Sequence, residues 1–261
     1  MKNYVLITGG TAGIGYELAK LFANDGYNLI LVAREEEGLR AAASDLSVYG
    51  VQVKTISKDL FDKDNASAIY EELLAENIIV DILVNDAGQG VYGKFNETEL
   101  QRELDIIQLN VSSLVILTKL FLKDMLKRGS GKILNLSSIA GKVPGPYQAV
   151  YHGTKAFVHS FTEAVRSEVK DTGVTLTSLL PGATDTGFFD KADMENSKMV
   201  QEGKLDDPAT VAKDGFEALM AGKDMVISGF RNKAQVALGS ILPDSTAADT
   251  MKKQQGPVSE S

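Results

Sequence analysis

Short apolar runs rich in β-branched residues alternate along the chain with longer stretches whose apolar residues recur every three or four positions. The first run is Tyr4–Thr8. After it, Ile14–Asp25 places Leu18, Leu21 and Phe22 on one helical face and meets Gly26, a residue suited to ending a helix. Asn28–Val32, Val51–Ile56, Asp81–Val84, Lys132–Leu136, Thr175–Leu180 and Met225–Ser228 read as further strands. Glu35–Tyr49, Ala66–Glu76, Glu99–Arg128 with a break near Asn110, Tyr151–Lys170 and Pro208–Met220 read as helices. The strands are apolar throughout, as strands buried on both faces are, so the repeated βα units predict a parallel sheet with helices on both sides. The expectation is a single doubly wound α/β domain over residues 1–242. The weakly patterned, polar residues 243–261 are expected to be a mobile tail.

Charge and composition narrow the function. The 261 residues carry 27 Lys and Arg against 35 Asp and Glu, a formal charge of −8, with 44% hydrophobic residues. This balance offers no basic footprint for nucleic acid and no attraction to an anionic membrane surface. Cys is absent, which excludes disulfides, thiolate catalysis and Cys-ligated zinc, and His152 and His159 alone do not make a metal site. Any redox chemistry needs a borrowed cofactor. The run Tyr4–Thr8 is too short for a signal peptide and no later run reaches ~18 consecutive apolar residues, so the expected location is cytoplasmic.

A first site signal lies where the first strand turns into the first helix: Thr8-Gly9-Gly10-Thr11-Ala12-Gly13-Ile14-Gly15. Glycines there allow a tight turn and close approach of the backbone to a pyrophosphate, while N–H groups at the helix start face the anion. The spacing G-x-x-x-G-x-G differs from G-x-G-x-x-G, and a glycine cluster alone can be a mere turn. The second strand ends Leu31-Val32-Ala33-Arg34, where an acidic residue would accept from a ribose hydroxyl and an arginine accommodates a 2′-phosphate. Arg34 therefore predicts NADP(H) over NAD(H). Its plain alternative is a solvated arginine paired with Glu35–Glu37.

A second signal is Tyr151-His152-Gly153-Thr154-Lys155, with phenol and ammonium one helical turn apart. A nearby cation lowers a tyrosine pKa and so makes Tyr151 a usable proton donor or acceptor near neutrality. Alone, this spacing is common on solvated helices. Here Ser137-Ser138 ends a strand upstream, and Pro181-Gly182-Ala183-Thr184-Asp185-Thr186 follows a later strand.

With Asp59-Leu60, Asn85-Asp86-Ala87-Gly88 and Asn110 also in order, the chain from residue 4 to about 230 resembles the short-chain dehydrogenase/reductase family. The resemblance implies a Rossmann-like fold and a catalytic tetrad of Asn110, Ser138, Tyr151 and Lys155. It implies a cofactor held by Gly9, Thr11, Gly13, Ile14 and Gly15, with Arg34 at the ribose. Asp59 and Leu60 would flank the adenine, and Asn85, Ala87 and Gly88 would line the cleft. Pro181 and Gly182 would shape a turn from which Thr184 and Thr186 hold the carboxamide, and Tyr151 and Lys155 would also touch the cofactor. Asn110 would hold a water that links Lys155 to solvent. Ser137 would serve packing. The family's usual Asn-Asn-Ala-Gly is Asn-Asp-Ala-Gly here, and Asp86 is expected to be held by backbone N–H donors without catalytic duty.

The implied chemistry is hydride transfer between a nicotinamide and a small carbonyl or alcohol, with Tyr151 protonating the oxygen and Ser138 holding it. Val91, Tyr92, Phe95, Val143, Pro144, Tyr147, Phe188, Phe189, Met194 and Met199 are the expected apolar rim, and residues 186–206 the expected lid. His152 reads as a wall residue. An acyl-carrier-protein reductase is the main rival, although the net charge argues mildly against so acidic a partner. A non-catalytic NADP(H) sensor is the other alternative. Leu114, Leu117, Leu120 and Phe121, beside Phe157, Phe161 and Val165, give more apolar surface than one sheet face needs, which points to a homodimer or homotetramer. Arg34→Ala is expected to weaken NADPH binding far more than NADH binding in fluorescence titrations; an unchanged preference would remove Arg34 from the phosphate site.

Overall fold

In a computed structural model that describes residues 4–239 and 241–258, the apolar runs assemble into one parallel sheet. Residues 1–3 of the expected domain, residue 240, and residues 259–261 of the expected tail lie outside the described residues. The strands are β1 (Tyr4–Thr8), β2 (Asn28–Ala33), β3 (Val53–Ser57), β4 (Val80–Asn85), β5 (Gly131–Leu136), β6 (Val174–Leu180) and β7 (Met225–Ile227). Their order is β3-β2-β1-β4-β5-β6-β7. The helices, in chain order, are α1 (Gly13–Asn24), α2 (Glu36–Leu46), α3 (Asn65–Ala75), α4 (Leu100–Ile107), α5 (Leu114–Arg128) and α6 (Ala149–Val169). They continue with α7 (Phe188–Lys191), α8 (Lys198–Gln201), α9 (Pro208–Met220), α10 (Phe230–Gly239) and α11 (Asp244–Gln255).

Strand alternation decides which core each side chain enters. Val5 and Ile7 of β1 pack with Leu18 and Phe22 of α1 and with Val211 and Leu219 of α9. Leu6 points the other way, toward Leu73 of α3 and Leu117, Phe121 and Met125 of α5. The doubly wound single domain expected from the repeated βα pattern is the observed architecture. Asp207 caps α9 by accepting from the Ala209 and Thr210 N–H groups, and Pro208 opens the first turn.

The stretch Leu100–Arg128 is long and apolar enough to cross a membrane by length and composition alone. Leu109, Leu117, Phe121, Leu122 and Met125 of this stretch instead lie in the core, and a π-helical turn at Gln108–Ser113 interrupts it at Asn110. The reading of its surplus apolar surface needs correction. Leu114, Leu117 and Phe121 are buried, Leu120, Phe161 and Val165 are half-buried and Phe157 is exposed, and Leu100, Leu104 and Ile107 of α4 add exposed apolar side chains. The stretch expected as a mobile tail is the helix α11. Its buried stripe is Ala247, Met251 and Gln255, one small, one apolar and one polar residue at a spacing of four, which hydrophobic periodicity does not register.

Phe22 is fully buried, with edge-on contacts to Tyr27 at 5.9 Å and Phe216 at 5.0 Å. Phe22→Ala is expected to cost about 3–5 kcal/mol in urea unfolding. Phe230→Ala, at an exposed site, should stay within about 0.5 kcal/mol of the parent.

Candidate active site

The chain leaves β1 toward β2 on one side, and later lays β4 on its other side. Such a reversal opens a crevice at the carboxyl ends of the strands. The cleft there has a volume of about 790 Å³. Its floor is the turn after β1. Gly9 and Gly13 have φ of +74° and +55°, conformations that favour glycine. A Cβ on Gly13 would come within 2.8 Å of Thr186, so this glycine lets the turn after β6 close on the loop. The first turn of α1 has no side-chain cap and no acidic residue, which leaves its N–H groups for an anion. These features fit a dinucleotide pyrophosphate.

At one end of the cleft Arg34 lies over the Phe61 ring, 5.3 Å from its centroid. The ion pair in that segment joins Arg40 to Glu36, and Arg34 is in none among the described residues. Asp59 and Leu60 line the same end.

The start of α6 carries Tyr151 and Lys155 into the middle of the cleft. Tyr151 lies beside Ser138, whose hydroxyl donates to the Pro181 carbonyl at 3.3 Å and accepts from Ala140 N–H at 3.0 Å. Lys155 donates to the Leu136 carbonyl at 2.9 Å, and its Nζ lies 5.8 Å from the Tyr151 ring centroid. Ser137 donates to the Lys155 carbonyl at 2.7 Å, a backbone-bonding place of the kind expected for it. Asn110 sits in the π-helical turn. Its amide accepts from Gln89 N–H at 3.0 Å and donates to the Gln89 carbonyl at 2.8 Å and to Thr154 at 3.0 Å.

Burial governs the titration of this cluster. It pushes the Tyr151 phenol up to about 12, with the Ser138 hydrogen bond acting against it. The expected lowering of the Tyr151 pKa is not met: desolvation of the phenol is the largest cause of its shift, and Ser138, not Lys155, acts against it. Burial likewise lowers Lys155 to about 8, opposed by the charge of Asp86. Asp86 is raised to about 7 by burial, opposed by Lys155 and by the Gly15 N–H. A single backbone donor thus holds one oxygen of Asp86, and its Oδ1 has no hydrogen-bond partner among the described residues. Burial also lowers the His152 pKa, opposed by its hydrogen bond to the Val143 carbonyl. Its Nδ1 donates to the Val143 carbonyl at 2.9 Å, and its Nε2 accepts from the Gln255 amide at 3.0 Å, the tautomer those two partners require.

Most of the residues singled out in the sequence converge on the cleft. Gly9, Thr11, Gly13, Ile14, Arg34, Asp59, Leu60, Ala87, Gly88, Ser138, Tyr151, Lys155, Pro181, Gly182, Thr184 and Thr186 all line it. Three stand behind its wall. Gly15 packs beneath the turn, where a Cβ would strike Asp86 and the Gly9 carbonyl. Asn85 turns inward and donates to Thr118 at 3.1 Å and Asn135 at 2.8 Å. Asn110 braces Gln89 rather than facing the cleft.

The expected apolar rim is only partly in place. Val143, Phe188, Phe189 and Met199 line the cleft, with Phe188 5.0 Å from the Tyr151 ring. Val91 and Met194 are core, and Phe95 is exposed. Sequence reasoning missed the wall from α10 and α11, comprising Arg231, Asn232, Gln235, Met251, Lys253, Gln254 and Gln255. The stripe of α11 at a spacing of four was the available signal, but two of its three members are not large apolar residues.

With this geometry in view, residues 3–197 match the short chain dehydrogenase family, and the chain belongs to it. An uncharacterized oxidoreductase of Staphylococcus epidermidis is 30% identical over 211 residues, 81% of this chain and 90% of the relative. Sulfoacetaldehyde reductase 2 of Chromohalobacter salexigens is 37% identical over 190 residues, 72% of this chain and 75% of the relative. A short-chain dehydrogenase from Sphingobium yanoikuyae in complex with NADPH superposes with a TM-score of 0.82 at 27% identity, covering 95% of this chain and 99% of that one. The protein is an oxidoreductase that acts by hydride transfer with an NAD(P) cofactor on a carbonyl or alcohol.

The position of Asp86 gives a pH prediction. Between the ordinary carboxyl pKa near 4 and its folded value of about 7, the folded state holds a proton that the unfolded state has lost, so this group's contribution to stability falls as pH rises through that window. Asp86→Asn removes the effect. Its melting temperature relative to the parent should therefore rise between pH 5 and pH 7, by about 1 kcal/mol of stability per pH unit. A difference that stays constant with pH would show that Asp86 is ionised throughout.

Proposed function

We propose that the protein is an NADP(H)-dependent carbonyl reductase, reversible as an alcohol dehydrogenase, with Tyr151 as its general acid and base. The observation that carries this reading is the meeting of Tyr151, Ser138 and Lys155 in the one cleft, with the Lys155 Nζ 5.8 Å from the Tyr151 ring centroid. A bound nicotinamide supplies the hydride. The phenol, pushed up to about 12, is fully protonated near neutrality, the state in which it gives its proton to the carbonyl oxygen. Ser138 holds that oxygen where negative charge develops. Lys155, buried against Gly88, is the cation that faces the resulting phenolate and binds the nicotinamide ribose. Asn110 acts as a positioning residue, since its amide fixes the backbone of Gln89 beside Gly88.

Arg34, without an ion-pair partner among the described residues and set over an aromatic ring at the ribose end, supports preference for the 2′-phosphate of NADP(H). Thr184 and Thr186, which line the cleft, are the residues we expect to hold the carboxamide, and residues 186–206 are the expected substrate lid. The small core of Phe189, Ala192 and Met194 gives that segment its own packing. The exposed row Leu100, Leu104 and Ile107 beside Phe157 is the surface through which we expect a homodimer or homotetramer to form.

NADPH oxidation across a panel of ketones and aldehydes tests the activity. Tyr151→Phe should leave NADPH affinity nearly intact in fluorescence titration and lower turnover by about 10²-fold or more. Retained turnover would exclude Tyr151 as the proton donor.

A further inference from the structure

Four cations crowd the mouth of the cleft on the side away from Arg34: Lys198 of α8, Lys204, Arg231 of α10 and Lys253 of α11. On a chain of net charge −8 this is a local reversal of sign. Some other lysines meet acids, as Lys54 does with Glu72 and Glu76. Among the described residues none of these four is in an ion pair. Glu202 is the acidic residue that lines the same mouth, and Lys191 of α7 adds a further cation to it.

The collar is tied together by its backbone. Lys198 N–H donates to the Gly256 carbonyl at 3.0 Å, joining α8 to the end of α11, and Arg231 donates to the Lys204 carbonyl at 2.6 Å. It is also tied to the reacting centre. Gln255, two residues beyond Lys253, donates to His152, the neighbour of Tyr151, and its carbonyl accepts from the Tyr92 hydroxyl at 2.6 Å. The phosphates of a dinucleotide have their own partners in the turn after β1 and in Arg34, on other elements.

We propose that the physiological substrate bears an anionic group beyond its carbonyl, a carboxylate or the phosphate of a thioester arm, and that Lys198, Lys204, Arg231 and Lys253 receive it. This rests on the carbonyl-reductase reading. The apolar side chains at Tyr151 then enclose the reacting end, and the collar fixes the other end and steers its approach.

The experiment compares two pairs of probes with NADPH: 3-oxobutanoyl-coenzyme A against the uncharged N-acetylcysteamine thioester, and succinic semialdehyde against its methyl ester. The charged member of at least one pair should have a kcat/KM about tenfold higher, with the advantage shrinking as salt is added. A preference in the first pair assigns the phosphate arm, and in the second a carboxylate. In the double variant Lys198→Glu, Lys253→Glu the ratio of kcat/KM between charged and uncharged probes should fall to about one, while the KM for NADPH stays unchanged; Lys253→Gln, a milder exposed change, should reduce the preference in part. Equal kcat/KM within both pairs overturns the proposal and leaves the reductase reading standing. A double variant that raises the KM for NADPH but keeps the preference also overturns it, by assigning the cations to the cofactor. No turnover with any of the four probes overturns both.

Discussion

A sheet whose strands are apolar on both faces has to be covered twice, and that requirement shapes the whole molecule. Helices take up both faces of the sheet, so polar chemistry has nowhere to go except the strand ends. Where β1 passes from one neighbour to the other, the covering helices part, and the cleft is what remains. The glycines after β1 let the backbone itself form the floor of that cleft.

The residues under the floor show what it costs to place charge there. Lys155 and Asp86 are buried together, and each moves toward its neutral form because water is excluded. Around them runs a polar network in the core. Asn85 bonds to Asn135, Asn135 donates to Thr162, and both the Asp86 and Ala87 N–H groups donate to Thr8. These bonds lock β1, β4, β5 and α6 in register, which holds Ser138 and Tyr151 in one place.

The fold was legible because the strands and the long helices announce themselves by period, and the cleft because its turn residues sit at strand ends. Tyr151 and Lys155 could be placed together from their spacing, and Ser138 and the turn from Pro181 to Thr186 from the resemblance to the family. The direction of Asn85 was not legible, since a residue at the end of a strand can turn into the cleft or into the core by one step of alternation. Leu114, Leu117 and Phe121 looked like surplus surface because sequence does not say how wide a sheet they must cover. The Tyr151 pKa was misjudged for a related reason: the cation was visible in the sequence and the depth of burial was not. Helix α11 was missed because Ala247, Met251 and Gln255 dock through small size and hydrogen bonding rather than a broad apolar stripe.

That last helix gives the cleft an order of assembly. Tyr92 and Gln255 meet across 163 positions, and His152 and Gln255 across 103. On a ribosome, which extends the chain from its N-terminus, the glycine turn, Arg34 and the Tyr151 helix all emerge before α11 exists. The nucleotide half of the protein can thus close on itself early, and the wall that faces the substrate is the final piece to be laid against it.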